Sequence, residues 1–171
     1  MIFLKKKPNH KILMILKKVF KFIYFLLLLP LVILLRLLSF FYLIRFAFLH
    51  SPRVGHFVGI TSLYLCERYN KINIPKKKHS DFFFLHNKIA NKQIAKLFSR
   101  KLNILPKFLR PLMELNNLIP GGKIHDIYYR ENELESIATW RHRDVHNLLD
   151  KTPAQVSFTS EEIKNAESQL E

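Results

Sequence analysis

Arg53-Val54-Gly55-His56 is the first group along the chain whose residue types suit chemistry. An arginine and a histidine this close can meet a phosphate or act on a hydroxyl, and the glycine between them permits close backbone approach by a ligand. The plainer reading is an ordinary turn beside a basic membrane flank. A second group follows the short apolar run Asp81-Phe82-Phe83-Phe84-Leu85. His86 and Asn87 come directly after it, and Asn91 and Gln93 open the next helical segment. Ligands of open α/β sheets sit beyond the carboxyl ends of strands, near helix N-termini. These four polar residues are therefore candidates for holding a sugar or phosphate, although Asn87 and Asn91 also suit simple capping.

Other groups carry less. His142 and His146 have the spacing of metal ligands on a helix, but no Glu follows His142 as in a zinc-protease helix. Two solvent-facing histidines explain them, and no metal site or cofactor is expected. Glu131, Glu133 and Glu135 alternate at what reads as a charged helix start. No His is followed by Asp five positions later, the pattern of membrane glycerolipid acyltransferases. The chain also lacks Asp-x-Asp, a P-loop and G-x-S-x-G.

The element that must position these residues is a hydrophobic stretch from Phe22 to Leu49, in which only Arg36 and Arg45 are charged. Transferring each Leu, Ile or Phe out of water contributes roughly 1.5–3 kcal/mol, so a membrane is the natural partner. The uncharged piece Phe22–Leu35 gives about 21 Å of helix against a hydrocarbon core of about 30 Å. Pro30, near its middle, can kink or turn it. A full span from Phe22 to about Phe41 requires Arg36 and Arg45 to snorkel. Lysines and arginines flank the run on both sides, and such bias keeps flanks on the cytoplasmic face. A dip or hairpin from one face is thus favoured over a single span, with Phe22, Pro30, Leu35, Arg36, Phe41 and Leu49 marking the membrane element. Upstream, Lys11, Lys17, Lys18 and Lys21 fall within about 120° of a helix, able to face lipid phosphates.

The formal charge is +15, and it is uneven. Met1–Cys66 carries ten basic residues and no acid, Glu67–Arg130 fourteen basic and four acidic, Glu131–Glu171 four basic and nine acidic. A basic front with a hydrophobic stretch inside it fits an anionic membrane surface, each nearby Lys or Arg adding about 1 kcal/mol. No nucleic-acid partner is expected. Cys66 is the only cysteine, which fits a reducing working side.

From Ser51 the character changes. Arg53–Ile60 reads as a short strand running into a turn, and Thr61–Asn70 as a helix. Asp81–His86 suits a strand buried on both faces. Lys92–Arg100 is helical with Asn91 as N-cap, and Leu102–Leu105 is a second strand. Strand, loop, helix and strand make the βαβ unit of a parallel sheet. Phe108–Leu118 is a helix with Pro111 in its first turn, Pro120-Gly121-Gly122 breaks the chain, Ile124–Tyr129 is ambiguous, and Asn132–Leu149 reads as helical. Thr159 with Glu162 forms a capping box, and Phe158 with Ile163 a hydrophobic staple. A parallel design expects a further strand after that helix, so the chain reads as cut off inside a domain.

Arg53-Val54-Gly55-His56-Phe57, Leu63-Tyr64-Leu65, Asp81-Phe82-Phe83-Phe84, Asn91-Lys92-Gln93-Ile94, Lys96, Arg100 and Ser157-Phe158-Thr159 with Glu161 and Glu162 occur in an order that resembles a little-characterised family of bacterial glycosyltransferases. The resemblance covers residues 50–171 in scattered short matches. It implies the N-terminal, acceptor-side part of a two-domain Rossmann-like enzyme of surface-polysaccharide synthesis that needs no Asp-x-Asp metal site. The family's continuation, with a His-x-Arg-Asp strand and the nucleotide-sugar domain, is absent from this sequence.

The expected fold is therefore α/β. A membrane-anchoring segment over 1–50, re-entrant or single-pass, precedes an incomplete Rossmann-like parallel-sheet domain over 51–171. The expected function is a membrane-associated glycosyltransferase moving a sugar from a nucleotide donor to a lipid-linked or surface-glycan acceptor. By itself the chain would be inactive. His56 and His86 are the candidate catalytic residues, and Arg53, Gly55, Asn87, Asn91 and Gln93 the candidate substrate-binding residues. The expected partners are membrane lipid, a nucleotide sugar and a lipid-linked glycan, on the cytoplasmic side of a bacterial inner membrane. The alternative is a non-enzymatic membrane-anchored protein that uses its basic patches on anionic lipid or a protein partner.

Overall fold

The hydrophobic stretch divides into two different elements. The structure, a computed structural model, describes residues 10–128 and 143–169. Helix α1, His10–Leu38, takes the first part. It continues through Pro30 without turning back, so no hairpin forms there. Leucine-rich sequence on both sides keeps the helix going, and the proline removes only one backbone bond. The chain then turns through residues 39–42 into strand β1, Leu43–Leu49.

The end of the apolar run is therefore sheet and not membrane anchor. Leu49 is 1% exposed in the core. A strand buried on both faces is as apolar as a membrane segment, so hydropathy does not divide the two. Arg45 is the residue that does not fit a bilayer, and its side chain lies inside the protein.

The segment read as a strand at Arg53–Ile60 is the start of helix α2, Val54–Tyr69. Phe57, Ile60, Thr61, Tyr64 and Leu65 are buried at helical spacing, whereas Gly55 and Gly59 depress helix propensity and conceal it. Strand β2, His79–Leu85, runs parallel to β1. Helix α3, Lys92–Ser99, and strand β3, Asn103–Ile104, complete the βαβ unit, with β3 parallel to β2. The sheet is three-stranded in the order β1-β2-β3.

Both faces of the sheet are covered. Phe57, Tyr64 and Leu65 of α2 and Ala95 and Phe98 of α3 pack with Ala47, Leu49 and Phe83. Leu28, Val32 and Leu35 of α1 pack on the other face with Phe46 and Phe84. Helix α4, Arg110–Leu118, shares that face and has Pro111 in its first turn, as expected.

Arg36 does not snorkel. Its Nε–H donates to Asn116 Oδ1 at 3.0 Å, and its Nη atoms donate to the carbonyls of Asn116 (3.1 Å), Ile119 (3.1 Å) and Pro120 (3.2 Å). A fixed positive charge here satisfies the carbonyls that end α4. Gly121 has φ +81°, and a Cβ on it would lie 2.8 Å from Arg36 Nη1. A Cβ on Gly122 would collide with the Asn116 carbonyl. The Pro-Gly-Gly break is what lets the guanidinium in.

Beyond it, the ambiguous stretch forms a short 3-10 turn, Gly122–His125, and Ile127 N–H donates to the Phe46 carbonyl at 3.1 Å, along the outer side of β1. Of the helix expected over 132–149, residues 132–142 lie outside the described residues, with Trp140 and His142. The described part contains the single turn α5, Leu148–Lys151. Helix α6, Ser160–Glu167, carries both bonds of the Thr159–Glu162 capping box.

Candidate functional site

The hexapeptides Arg45-Phe46-Ala47-Phe48-Leu49-His50 and Asp81-Phe82-Phe83-Phe84-Leu85-His86 share one pattern. They also pair in register, from Arg45 opposite Asp81 to Leu49 opposite Leu85. The next residue on each strand is a histidine, so His50 and His86 leave the carboxyl ends of neighbouring parallel strands together. They line an open cleft of about 370 Å³ with Pro52, Arg53 and His56. The cleft lies where ligands of open α/β sheets bind.

Ser51 shapes the floor of this region. It is fully buried. Its Oγ accepts the His86 N–H at 3.0 Å and donates to the Lys88 carbonyl at 3.1 Å, while its own carbonyl accepts the Ala90 N–H at 2.8 Å. The β1 exit is thereby tied to the β2 exit. Two residues on, Arg53 has extended backbone at the N-cap of α2 and makes no side-chain cap bond. The first-turn amides of α2 thus lack a capping side chain beside the cleft, and they carry the positive end of the helix dipole. The His50 and His56 ring centroids are 6.4 Å apart.

His86 packs on Phe48, with centroids 5.1 Å apart. Burial pushes its pKa below the usual histidine value, and the charge of Arg110 lowers it further. Near neutral pH it is an uncharged imidazole, able to accept a proton. Arg110 opens α4, lies 5.7 Å over the Phe48 ring, donates to Asn87 Oδ1 at 2.9 Å and donates to the Leu85 carbonyl. Among the described residues no three His, Cys, Asp or Glu side chains are grouped so as to hold a metal ion.

The structure thus brings Arg53, His56 and His86 together and adds His50. Gly55 lies in the first turn of α2, where a Cβ would meet nothing within 4 Å. The other candidates have structural engagements. Asn87 is held by Arg110. Asn91 caps α3, its Oδ1 accepting the Ile94 N–H at 3.0 Å. Gln93 donates to Glu162 Oε1 at 2.8 Å. Arg100 and Lys96 pair with the same carboxylate, and the Arg100 bond, with the Thr159 N–H, holds Glu162 well below the usual carboxylate range. That group joins α3 to α6 and does not line the histidine cleft.

The residues marked for the membrane divide as well. Phe22, Pro30 and Phe41 are exposed, Leu35 is buried against the sheet, Arg36 clamps α4, and Leu49 is in the core. Sequence reasoning missed His50 because it closes an apolar run read as membrane, and missed Arg110 because a lone basic residue before a helix carries no pattern. The repeated hexapeptide was the available signal for His50. Comparison with protein-family models, with curated proteins and with solved structures gives no match for this chain.

Proposed function

We propose that this chain is the acceptor-side part of a membrane-associated glycosyltransferase, working on the cytoplasmic face of a bacterial inner membrane with a Rossmann-like half-domain. One observation carries the reading: His50, Arg53, His56 and His86 gather in a cleft beyond the carboxyl ends of two parallel strands. Arg53 and the first turn of α2 suit the phosphate of a lipid-linked acceptor. His86, held neutral, suits removal of a proton from the acceptor hydroxyl. In the transfer the acceptor oxygen bonds to the anomeric carbon, the bond from that carbon to the nucleotide diphosphate breaks, and the hydroxyl proton passes to the imidazole.

Helix α1 supports the membrane part of this reading. It is long and apolar enough to cross a bilayer, and only 17% of its apolar window is buried in the protein. Its docked side also reaches the cleft end of the sheet. Tyr24 donates to the Phe108 carbonyl at 2.8 Å, two residues before Arg110, whose guanidinium reaches the end of β2. The segment with Lys17, Lys18 and Lys21 lies N-terminal to that point on α1.

The test is transfer of labelled sugar from nucleotide donors to lipid-extractable acceptor, using membranes that carry the full-length protein. His86→Ala is expected to reduce transfer by about 10²–10⁴-fold, the usual contribution of a general base. Arg53→Gln is expected to raise the acceptor KM. Retention of acceptor without any transfer would assign the cleft to a membrane-anchored binding protein instead. Activity unchanged in both variants would remove the cleft from the reaction.

A further inference from the structure

We infer that α1 lies flat in one leaflet of a bilayer containing anionic phospholipid, its outward face in the acyl region and its inward face on the domain. This rests on the membrane association proposed above and not on glycosyl transfer. Two observations carry it.

The first is the segregation around the helix. Between Leu13 and Leu38 the only polar residues are Lys17, Lys18, Lys21, Tyr24 and Arg36. At 100° per residue all five fall within about 120° of arc, and no polar side chain lies on the remaining 240° or so. The polar arc is also the docked side. Lys21 Nζ meets Glu114 Oε2 at 2.8 Å, Tyr24 meets Phe108, and Arg36 meets the end of α4. The opposite side is exposed along its length at Phe20, Ile23, Leu27, Leu34 and Leu37. A spanning helix has no need to sort its residues this way, whereas a helix lying in the interface does.

The second is docking length. From Lys21 to Arg36 the helix rises about 22 Å, docked by its side chains on the segment from Phe108 to Pro120 that includes α4. To cross a core of about 30 Å it would have to carry the polar surface of α4 into hydrocarbon. The segment ahead of Lys21, from Leu13, adds only about 12 Å. Both ends of the helix thus stay on the domain's side of the bilayer, and both are basic. Lys17, Lys18 and Lys21 mark one end. At the other, Lys77 Nζ donates to the Ser39 carbonyl at 3.4 Å, with Lys76 and Lys78 exposed beside it. Phe40 and Phe41, 75% and 84% exposed, extend the apolar side at that end. Cations at both ends of one apolar face match the anionic headgroups around an embedded helix.

Three measurements on the full chain test this. Flotation with phosphatidylcholine vesicles containing about one third phosphatidylglycerol should recover the protein, with at least a tenfold loss of binding when the anionic lipid is omitted. Leu27→Glu/Leu34→Glu should lower the partition by about 100-fold or more, with the circular dichroism of the parent. In sealed membrane vesicles, cysteines placed by Lys18→Cys and Lys77→Cys should react with an impermeant maleimide from the same side, Cys66 being buried and silent. Reaction from opposite sides would establish a spanning helix and overturn the inference. A soluble dimer that ignores vesicles and is broken by Leu27→Glu/Leu34→Glu would also overturn it, assigning the face to a second copy. None of these outcomes depends on sugar transfer.

Discussion

Arg36→Leu separates a membrane arginine from a domain clamp. If Arg36 sat in lipid, leucine would be neutral or stabilising there. The observed geometry dictates the opposite. The guanidinium serves Asn116 twice, Ile119 once and Pro120 once, and the last of these bonds is exposed. Counting the three part-buried bonds at about 1–1.3 kcal/mol each gives about 3–4 kcal/mol, and the exposed bond adds next to nothing. The new leucine returns about 1 kcal/mol through its apolar atoms. The net loss is then about 2–3 kcal/mol, or a fall of about 5–10 °C in Tm for a chain of this size. Thermal denaturation followed by circular dichroism in mild detergent measures it. Gly122→Ala probes the same hub through a different atom, since its Cβ would meet the Asn116 carbonyl, and it should also lower Tm. An Arg36→Leu protein that melts at or above the parent temperature would refute the clamp, and with it the C-terminal anchor that holds α1 along the domain.

Three further outcomes follow from the same structure. Asp81 accepts from Arg45 Nε at 2.8 Å, from Arg45 Nη2 at 2.7 Å and from the Tyr64 hydroxyl at 2.7 Å, all buried; Asp81→Asn should cost about 3–5 kcal/mol in denaturant unfolding, because it strands a buried guanidinium, whereas Arg45→Met/Asp81→Leu with Tyr64→Phe should recover most of that loss. Gly55→Ala should stabilise α2 by about 0.5–1 kcal/mol in the same assay, since the added methyl meets open space; a gain in stability with a loss of acceptor binding would place a ligand over that turn, and a loss of stability would contradict the helix there. Burial holds the His125 pKa below its usual value, with Arg36 lowering it further against the raising effect of the Ile44 carbonyl bond, and His86 is lowered too. The unfolded chain therefore binds protons first, so stability contributed by these groups is intact above about pH 6.5 and is lost as pH falls below it; Tm measured from pH 7.5 to 5.5 should drop less in His125→Asn, which keeps a donor for the Ile44 carbonyl, and an equal drop would clear His125.

Much of the sheet was legible because its signals are local. The βαβ unit around Asp81–Leu105, the Asn91 cap and the Thr159–Glu162 capping box depend on neighbours a few residues apart, and each stands in the structure. What sequence reading lost was the first strand. Leu43–Leu49 follows a lipid-compatible helix after a turn made of Ser, Phe, Phe and Tyr, so no polar break announces it. The strand expected at Arg53–Ile60 is helix instead, because the burial spacing there is helical and the glycines conceal it. The cleft was half legible because that first strand was lost. Arg53, His56 and His86 stand out by type and position, while His50 and Arg110 acquire meaning only once β1 and α4 are set beside β2. The roles of Arg36 and Gln93 were not legible, since each meets a partner more than sixty residues away.

The buried charge pair and the cleft are two ends of one device. Sliding β1 by a single residue against β2 would turn its side chains to the opposite face and move Arg45 away from Asp81. That leaves two buried charges unpaired, a penalty of about 3–5 kcal/mol that apolar contacts between similar Phe and Leu residues do not offset, because a slipped register would still match apolar with apolar. The two hexapeptides are so alike in their apolar positions that hydrophobic packing discriminates poorly between registers. Arg45, Asp81 and the Tyr64 hydroxyl supply the discrimination at the amino ends of the strands. At the carboxyl ends the same register sets His50 beside His86, with Ser51 joining the two exits. A buried ion pair with its tyrosine partner, none of which lines the cleft, therefore determines which side chains the cleft contains.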